Sequence, residues 1–105
     1  NEMMEKLGLS KEEMAELLAL FVDSCRNDLE QMSTALAAED ARGVSEAAHS
    51  IKGAAGNMRF EQLYELARSI EEDARQRTLD GVQARIEQLG SAIEILARDF
   101  RAPSG

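Results

Sequence analysis

A single proline, Pro103, occurs among the 105 residues, and ahead of it apolar residues recur at spacings of three and four. Proline breaks a helix interior, because it lacks the N–H and its ring clashes with the carbonyl four residues back. A chain free of it for nearly its whole length, rich in Ala, Leu, Glu and Arg and sparse in Val, Ile, Thr and aromatic residues, favours long helices over strands.

The periodicity resolves into amphipathic segments. Ser10 reads as an N-cap with Glu13 three residues on, a capping box. Met14, Leu17, Leu18, Phe21, Val22, Cys25, Leu29, Met32 and Leu36 then mark one long helix over about 11–38. Asp40 is the expected cap of a second helix, about 41–56, with Val44, Ala47, Ala48, Ile51, Ala55 and Met58 as its apolar stripe. Gly56 and Asn57 tolerate the left-handed conformation of a helix end and are its expected stop. A third helix, about 60–77, faces inward through Phe60, Leu63, Leu66, Ala67, Ile70 and Ala74. Thr78 or Asp80 caps a fourth, about 81–101, in which Val82, Ile86, Leu89, Ile93, Leu96 and Phe100 alternate by four and three. A short helix over about 2–7, with Met3, Met4 and Leu7, is expected to cap one end. Short turns at 39–41, 57–59 and 78–80 favour a monomeric up-down-up-down four-helix bundle over a coiled-coil oligomer of the same pattern. The expected fold is all-α, with one domain over 1–105.

Charge narrows the partners. Twelve Lys and Arg against 20 Asp and Glu give a net charge of −8, which argues against nucleic acid or an anionic membrane as partner. No apolar run approaches bilayer-spanning length, no signal peptide is visible, and the first residue is not Met. The expectation is a cytoplasmic module cut from a longer protein. The single cysteine, Cys25, excludes an internal disulfide, fits a reducing compartment and reads as an inert core thiol. The five Met residues read as core filling, and Glu71-Glu72-Asp73 as a solvated face. One His without Cys or paired-carboxylate spacing makes a poor metal site, and no Gly-rich cradle for ATP phosphates is present. No cofactor is therefore expected on this chain.

The remaining signal lies around that one histidine. At about 100° per residue, the apolar stripe of the second helix falls between about 160° and 260° from His49. Lys52, Gly53 and Gly56 fall within about 60° of it, so His49 points away from the core beside one lysine and two residues without side chains. Each interior glycine costs a helix about 1 kcal/mol against alanine, so Gly53 calls for a reason. It clears space for another protein to approach the imidazole. A neutral imidazole nitrogen is a good nucleophile near neutral pH, and phosphoryl transfer needs mainly positioning and cationic stabilisation. An outward His with an adjacent Lys supplies the acceptor half of such a reaction.

The run His49-Ser50-Ile51-Lys52-Gly53-Ala54-Ala55-Gly56-Asn57 resembles the signature of histidine-containing phosphotransfer (HPt) domains, and Leu63, Leu66-Ala67 and Ile70-Glu71 resemble the helix that follows it in that family. The resemblance covers about residues 10–100. It implies that His49 is phosphorylated on Nε2 from a receiver-domain aspartyl phosphate and passes the group to another receiver. It further implies that Lys52 is the charge partner, and that Gly53, with Gly56 and Ser45, belongs to the docking surface. Glu71 matches by position the Gln or Glu that holds the imidazole in family members. Where many members have a small pair this chain has Met58-Arg59-Phe60, and Arg59 is expected to tune partner choice. Mg²⁺ is expected on the partner receiver, and ATP chemistry in a histidine kinase, such as a bacterial hybrid sensor kinase whose C-terminal module this chain would be. Such a domain is a carrier rather than an enzyme. The competing readings are the phosphoacceptor domain of a chemotaxis-type kinase, a non-phosphorylated binding module of the same fold, and a helical spacer.

Overall fold

The computed structural model describes residue 8 and residues 10–101, apart from the side chains of 99–101. Four helices run through it in sequence: α1 (Lys11–Ala37), α2 (Ala41–Met58), α3 (Glu61–Arg75) and α4 (Val82–Arg101). No strand occurs among the described residues. The connections are short, so successive helices alternate in direction. α2 packs on both α1 and α3, and α4 closes the bundle against α1 and α3. The short helix expected over 2–7 and the Phe100 side chain lie outside the described residues.

Local chemistry sets the helix starts. The Ser10 hydroxyl accepts from the Glu13 backbone N–H at 3.1 Å while the Glu13 carboxylate accepts from the Ser10 N–H at 3.0 Å, completing the capping box. Such a cap contributes about 1 kcal/mol to helix stability. The Asp40 side chain caps α2 through the Gly43 N–H at 3.0 Å. α3 begins after Phe60 with no side-chain cap; instead the Phe60 ring meets Phe21 edge-on, with centroids 5.3 Å apart. α4 starts directly after Gly81, which takes φ +79°, so Val82 rather than position 81 is its first residue; Asp80 lies in the turn with Gly81, and Thr78 upstream of it.

The helix ends differ from expectation. α2 continues through Gly56 and Asn57 to Met58, and Arg59 takes the left-handed conformation at φ +62°. There the Arg59 N–H donates to the Gly56 carbonyl and the Phe60 N–H to the Ala55 carbonyl, a Schellman closure. Glu39 after α1 and Arg77 after α3 take the same conformation, with φ of +54° and +60°. α3 accordingly stops at Arg75, two residues short of its expected end.

The core follows the apolar stripes. All six stripe residues of α2 are buried, as are Val82, Ile86, Leu89 and Ile93 of α4. On α1, Leu17 is exposed, and Leu29 and Leu36 pack at the margin of the core, as does Leu66 of α3. Burying one such aliphatic side chain contributes about 1.5–3 kcal/mol, so these stripes carry the fold. Cys25 is fully buried, and burial with Asp28 nearby pushes its thiol up to about 12, consistent with an inert core residue. Met14, Met32 and Met58 fill the core. Ion pairs tie the outside: Arg26 forks onto Glu94 of α4 at 2.6 and 2.7 Å, and Arg85 of α4 reaches Asp73 and Ser69 of α3.

Candidate functional site

The burial of the α2 stripe fixes the opposite face outward. His49 lies there, with its side chain 64 % exposed. Its Nδ1 lies 2.8 Å from Oε2 of Glu71 on α3. Glu71 itself is 3 % exposed, although its neighbour Glu72 faces solvent. The expectation that Glu71-Glu72-Asp73 is a solvated face therefore fails for two of its members. Glu71 lies on the inward edge of α3, one residue after the core residue Ile70, and Asp73 is half-buried and held by Arg85.

The other carboxylate oxygen of Glu71, Oε1, takes the Lys52 ammonium at 2.6 Å. Arg75, one turn further along α3, places Nη2 3.5 Å from Oε2. One carboxylate thus meets donors from three side chains on two helices. A nearly dry carboxylate without partners would be costly, and these contacts supply them. Burial alone pushes the Glu71 carboxyl up, but hydrogen bonds from Lys52 and His49 outweigh it and hold the group below the ordinary carboxylate value. Because an ionised carboxylate only accepts, Nδ1 of His49 carries the proton. Nε2 of the neutral ring is then the unprotonated nitrogen, with its lone pair available.

Ser50 turns the other way and donates to Oδ2 of Asp28 on α1 at 2.7 Å. Asp28 is buried to 9 % exposure, so the residue beside His49 is fixed to α1 while His49 is fixed to α3. Both bonds restrict rotation of α2 about its axis.

Space around the imidazole is open. A Cβ built on Gly53 would meet nothing within 4 Å. At Gly56 a Cβ would meet only the Tyr64 ring, at ordinary contact distances of 3.5 and 3.7 Å. Neither glycine takes a positive φ, so backbone conformation does not require them. Ser45, one turn before His49, is half-buried and borders a groove with Arg42, Arg75 and Arg77. Arg59 is not brought to His49. It lies ten residues on, about 15 Å along the helix axis, and borders a groove with Phe60 and Ile95 of α4.

The structure thus gathers His49, Lys52, Glu71 and Gly53 at one place and leaves Arg59 at the end of the bundle. Arg75 joins them at the edge of the site, and its spacing of four from Glu71 is the signal in the sequence that links the two. Asp28, which holds Ser50, stands three residues after Cys25 and four before Met32, and this position on the buried stripe of α1 is the signal in the sequence that marks it. Among the described residues no group of three or more His, Cys, Asp or Glu could hold a metal ion.

An outward histidine oriented by a buried carboxylate on a four-helix bundle defines a phosphotransfer module, and the chain belongs to the Hpt domain family, which it matches over residues 16–99. Its role is histidine phosphotransfer in a phosphorelay, in which Hpt domains interact with receiver domains. Among solved structures, it is similar to the histidine-containing phosphotransfer protein B (HptB) of Pseudomonas aeruginosa PAO1. The two share 30 % identity with a TM-score of 0.86, over 96 % of this chain and 89 % of that one. No curated protein sequence gives a significant match. No helix among the described residues is long and apolar enough to cross a membrane.

Proposed function

We propose that His49 accepts a phosphoryl group from the aspartyl phosphate of a receiver domain and passes it to the aspartate of another. The observation that carries this reading is the 2.8 Å contact between His49 Nδ1 and the buried Glu71 carboxylate, on a face left open by Gly53. Nε2 attacks phosphorus in line, the Nε2–P bond forms, and the P–O bond to the donor aspartate breaks, its electron pair leaving with the carboxylate. No proton moves: the ring keeps its Nδ1–H and becomes a phosphorylated imidazolium, whose positive charge Glu71 stabilises. The return reaction retraces these steps onto a second receiver.

Mg²⁺, which neutralises charge on the transferring oxygens, belongs in this scheme to the receiver's acidic site. In this scheme the chain contributes the nucleophile and its neighbouring cations and acts as a carrier, while kinase chemistry resides in a partner or elsewhere in a longer polypeptide. A cytoplasmic setting follows, since receivers and kinase domains meet there.

The test is intact mass after mixing wild type and His49→Ala with phosphorylated receivers and Mg²⁺. An acid-labile phosphoryl group on wild type alone supports the carrier. No label from any receiver in a broad panel would leave a non-phosphorylated receiver-binding module instead.

A further inference from the structure

We propose that Arg75 is a positioning residue: it takes over as counter-ion of Glu71 when His49 is phosphorylated, and so releases Lys52 to the phosphoryl oxygens. This rests on the reading of His49 as the phosphoryl acceptor.

In the unmodified chain Lys52 is already occupied. Its ammonium lies 2.6 Å from Oε1 of Glu71, and its side chain is only 23 % exposed. Moving it to a phosphoryl group on Nε2 leaves Oε1 of the buried carboxylate without its cation, the imidazolium bonding only Oε2, which is costly at a site this dry. Arg75 removes that obstacle. It approaches Glu71 from the solvent side, with its side chain 69 % exposed, and stands 3.5 Å from Oε2. That is ion-pair range but longer than a hydrogen bond, so a small side-chain movement closes it. Arg75 is also available. Glu72 and Asp73, the other acids within a turn of it on α3, are held by Arg68, at 2.9 Å from Glu72, and by Arg85. Lys52 and Arg75 together set two positive charges against the single negative charge of Glu71. The surplus is of the right sign for an incoming phosphoryl dianion.

Phosphoramidate loads the domain without a receiver: its P–N bond breaks, ammonia leaves with the electron pair, and the P–Nε2 bond forms. The initial loading rate, read by intact mass at low salt, is compared for wild type, Arg75→Ala, Arg75→Lys, Lys52→Ala and the Lys52→Ala/Arg75→Ala double variant. Arg75→Ala is expected to slow loading roughly threefold, the scale of one exposed ion pair, and Arg75→Lys to restore most of the rate. In the Lys52→Ala background the Arg75 change is expected to have no further effect, because it acts through Lys52. The ¹⁵N resonance of the Lys52 ammonium should shift on loading in wild type and stay put in Arg75→Ala. Unchanged loading in Arg75→Ala overturns the proposal. So does an undiminished Arg75 effect without Lys52, which would mark a direct phosphate contact or a folding defect. If wild-type His49 takes no phosphoryl group, the reading of His49 itself falls, which is a separate result.

Discussion

Glu71 accepts a hydrogen bond from the Nδ1–H of His49 at 2.8 Å, from a position that is almost wholly buried. The carboxylate is held by its own helix and by Lys52, so it acts as a fixed reference against which the imidazole is set. This selects the less common neutral tautomer and directs Nε2 outward. In Glu71→Gln the amide oxygen can still accept from Nδ1, but its charge is gone. We expect that variant to keep the tautomer and to transfer about ten- to a hundred-fold more slowly, the range seen when the outer partner of a working histidine is altered. Glu71→Ala should lose the tautomer preference as well. Long-range ¹H–¹⁵N spectra of the ring in alkaline buffer check this, and a wild-type ring protonated on Nε2 would refute it.

The same carboxylate should make stability depend on pH. Its folded-state value lies below the ordinary 4.5, so the native state binds fewer protons there than the unfolded chain. The stabilisation is complete above that unfolded value and is lost as pH falls through the depressed folded one. Urea denaturation from pH 7 downwards should therefore show stability falling on the acid side of about 4.5, with a shallower fall in Glu71→Gln. Equal slopes for the two proteins would show that Lys52 and His49 do not hold the carboxyl down.

Much of this was legible in the sequence, for physical reasons. The α2 stripe from Val44 to Met58 is wide and unbroken, so both the helix and its outward face followed from periodicity alone. Ser10 with Glu13, and Asp40, announce helix starts because their side chains bond backbone N–H groups directly. The ends were obscure because left-handed closure is usually marked by glycine, and here Glu39, Arg59 and Arg77 supply it. Gly56, the residue that looked like an end, is an ordinary helical position. Whether Glu71 or Glu72 faced α2 depended on a rotation of about 100°, which only packing of Ile70 and Ala74 decides.

Those non-glycine ends imply that stability can be gained cheaply. A left-handed residue with a Cβ costs about 1–2 kcal/mol, part of which glycine returns through its freer unfolded state. The net expectation for Arg59→Gly is a gain of about 0.5–1 kcal/mol. Arg59 is exposed and caps α2 through its backbone, so the substitution removes no packed contact. Urea midpoints measure the change. A loss of stability would mean that the arginine side chain contributes more than its backbone strain costs.

Gly53 separates folding from function in one position. Helix propensity argues for alanine there, and a Cβ would meet nothing within 4 Å, so Gly53→Ala should raise stability by about 1 kcal/mol. Gly43 provides the contrast on the same helix. A Cβ there would come within 2.6 Å of Asp40 Oδ2 and 2.8 Å of Ala35 Cβ, so Gly43→Ala should destabilise by disturbing the α2 cap. If Gly53 persists because a receiver must bring its aspartyl phosphate close to Nε2, Gly53→Gln should fold as well as wild type yet transfer far more slowly. Its loading by phosphoramidate should stay near normal, since a small donor needs no docking surface. Receiver-dependent transfer at the wild-type rate in Gly53→Gln would remove the glycine from the interface. A parallel loss with both donors would instead place the fault at His49 itself.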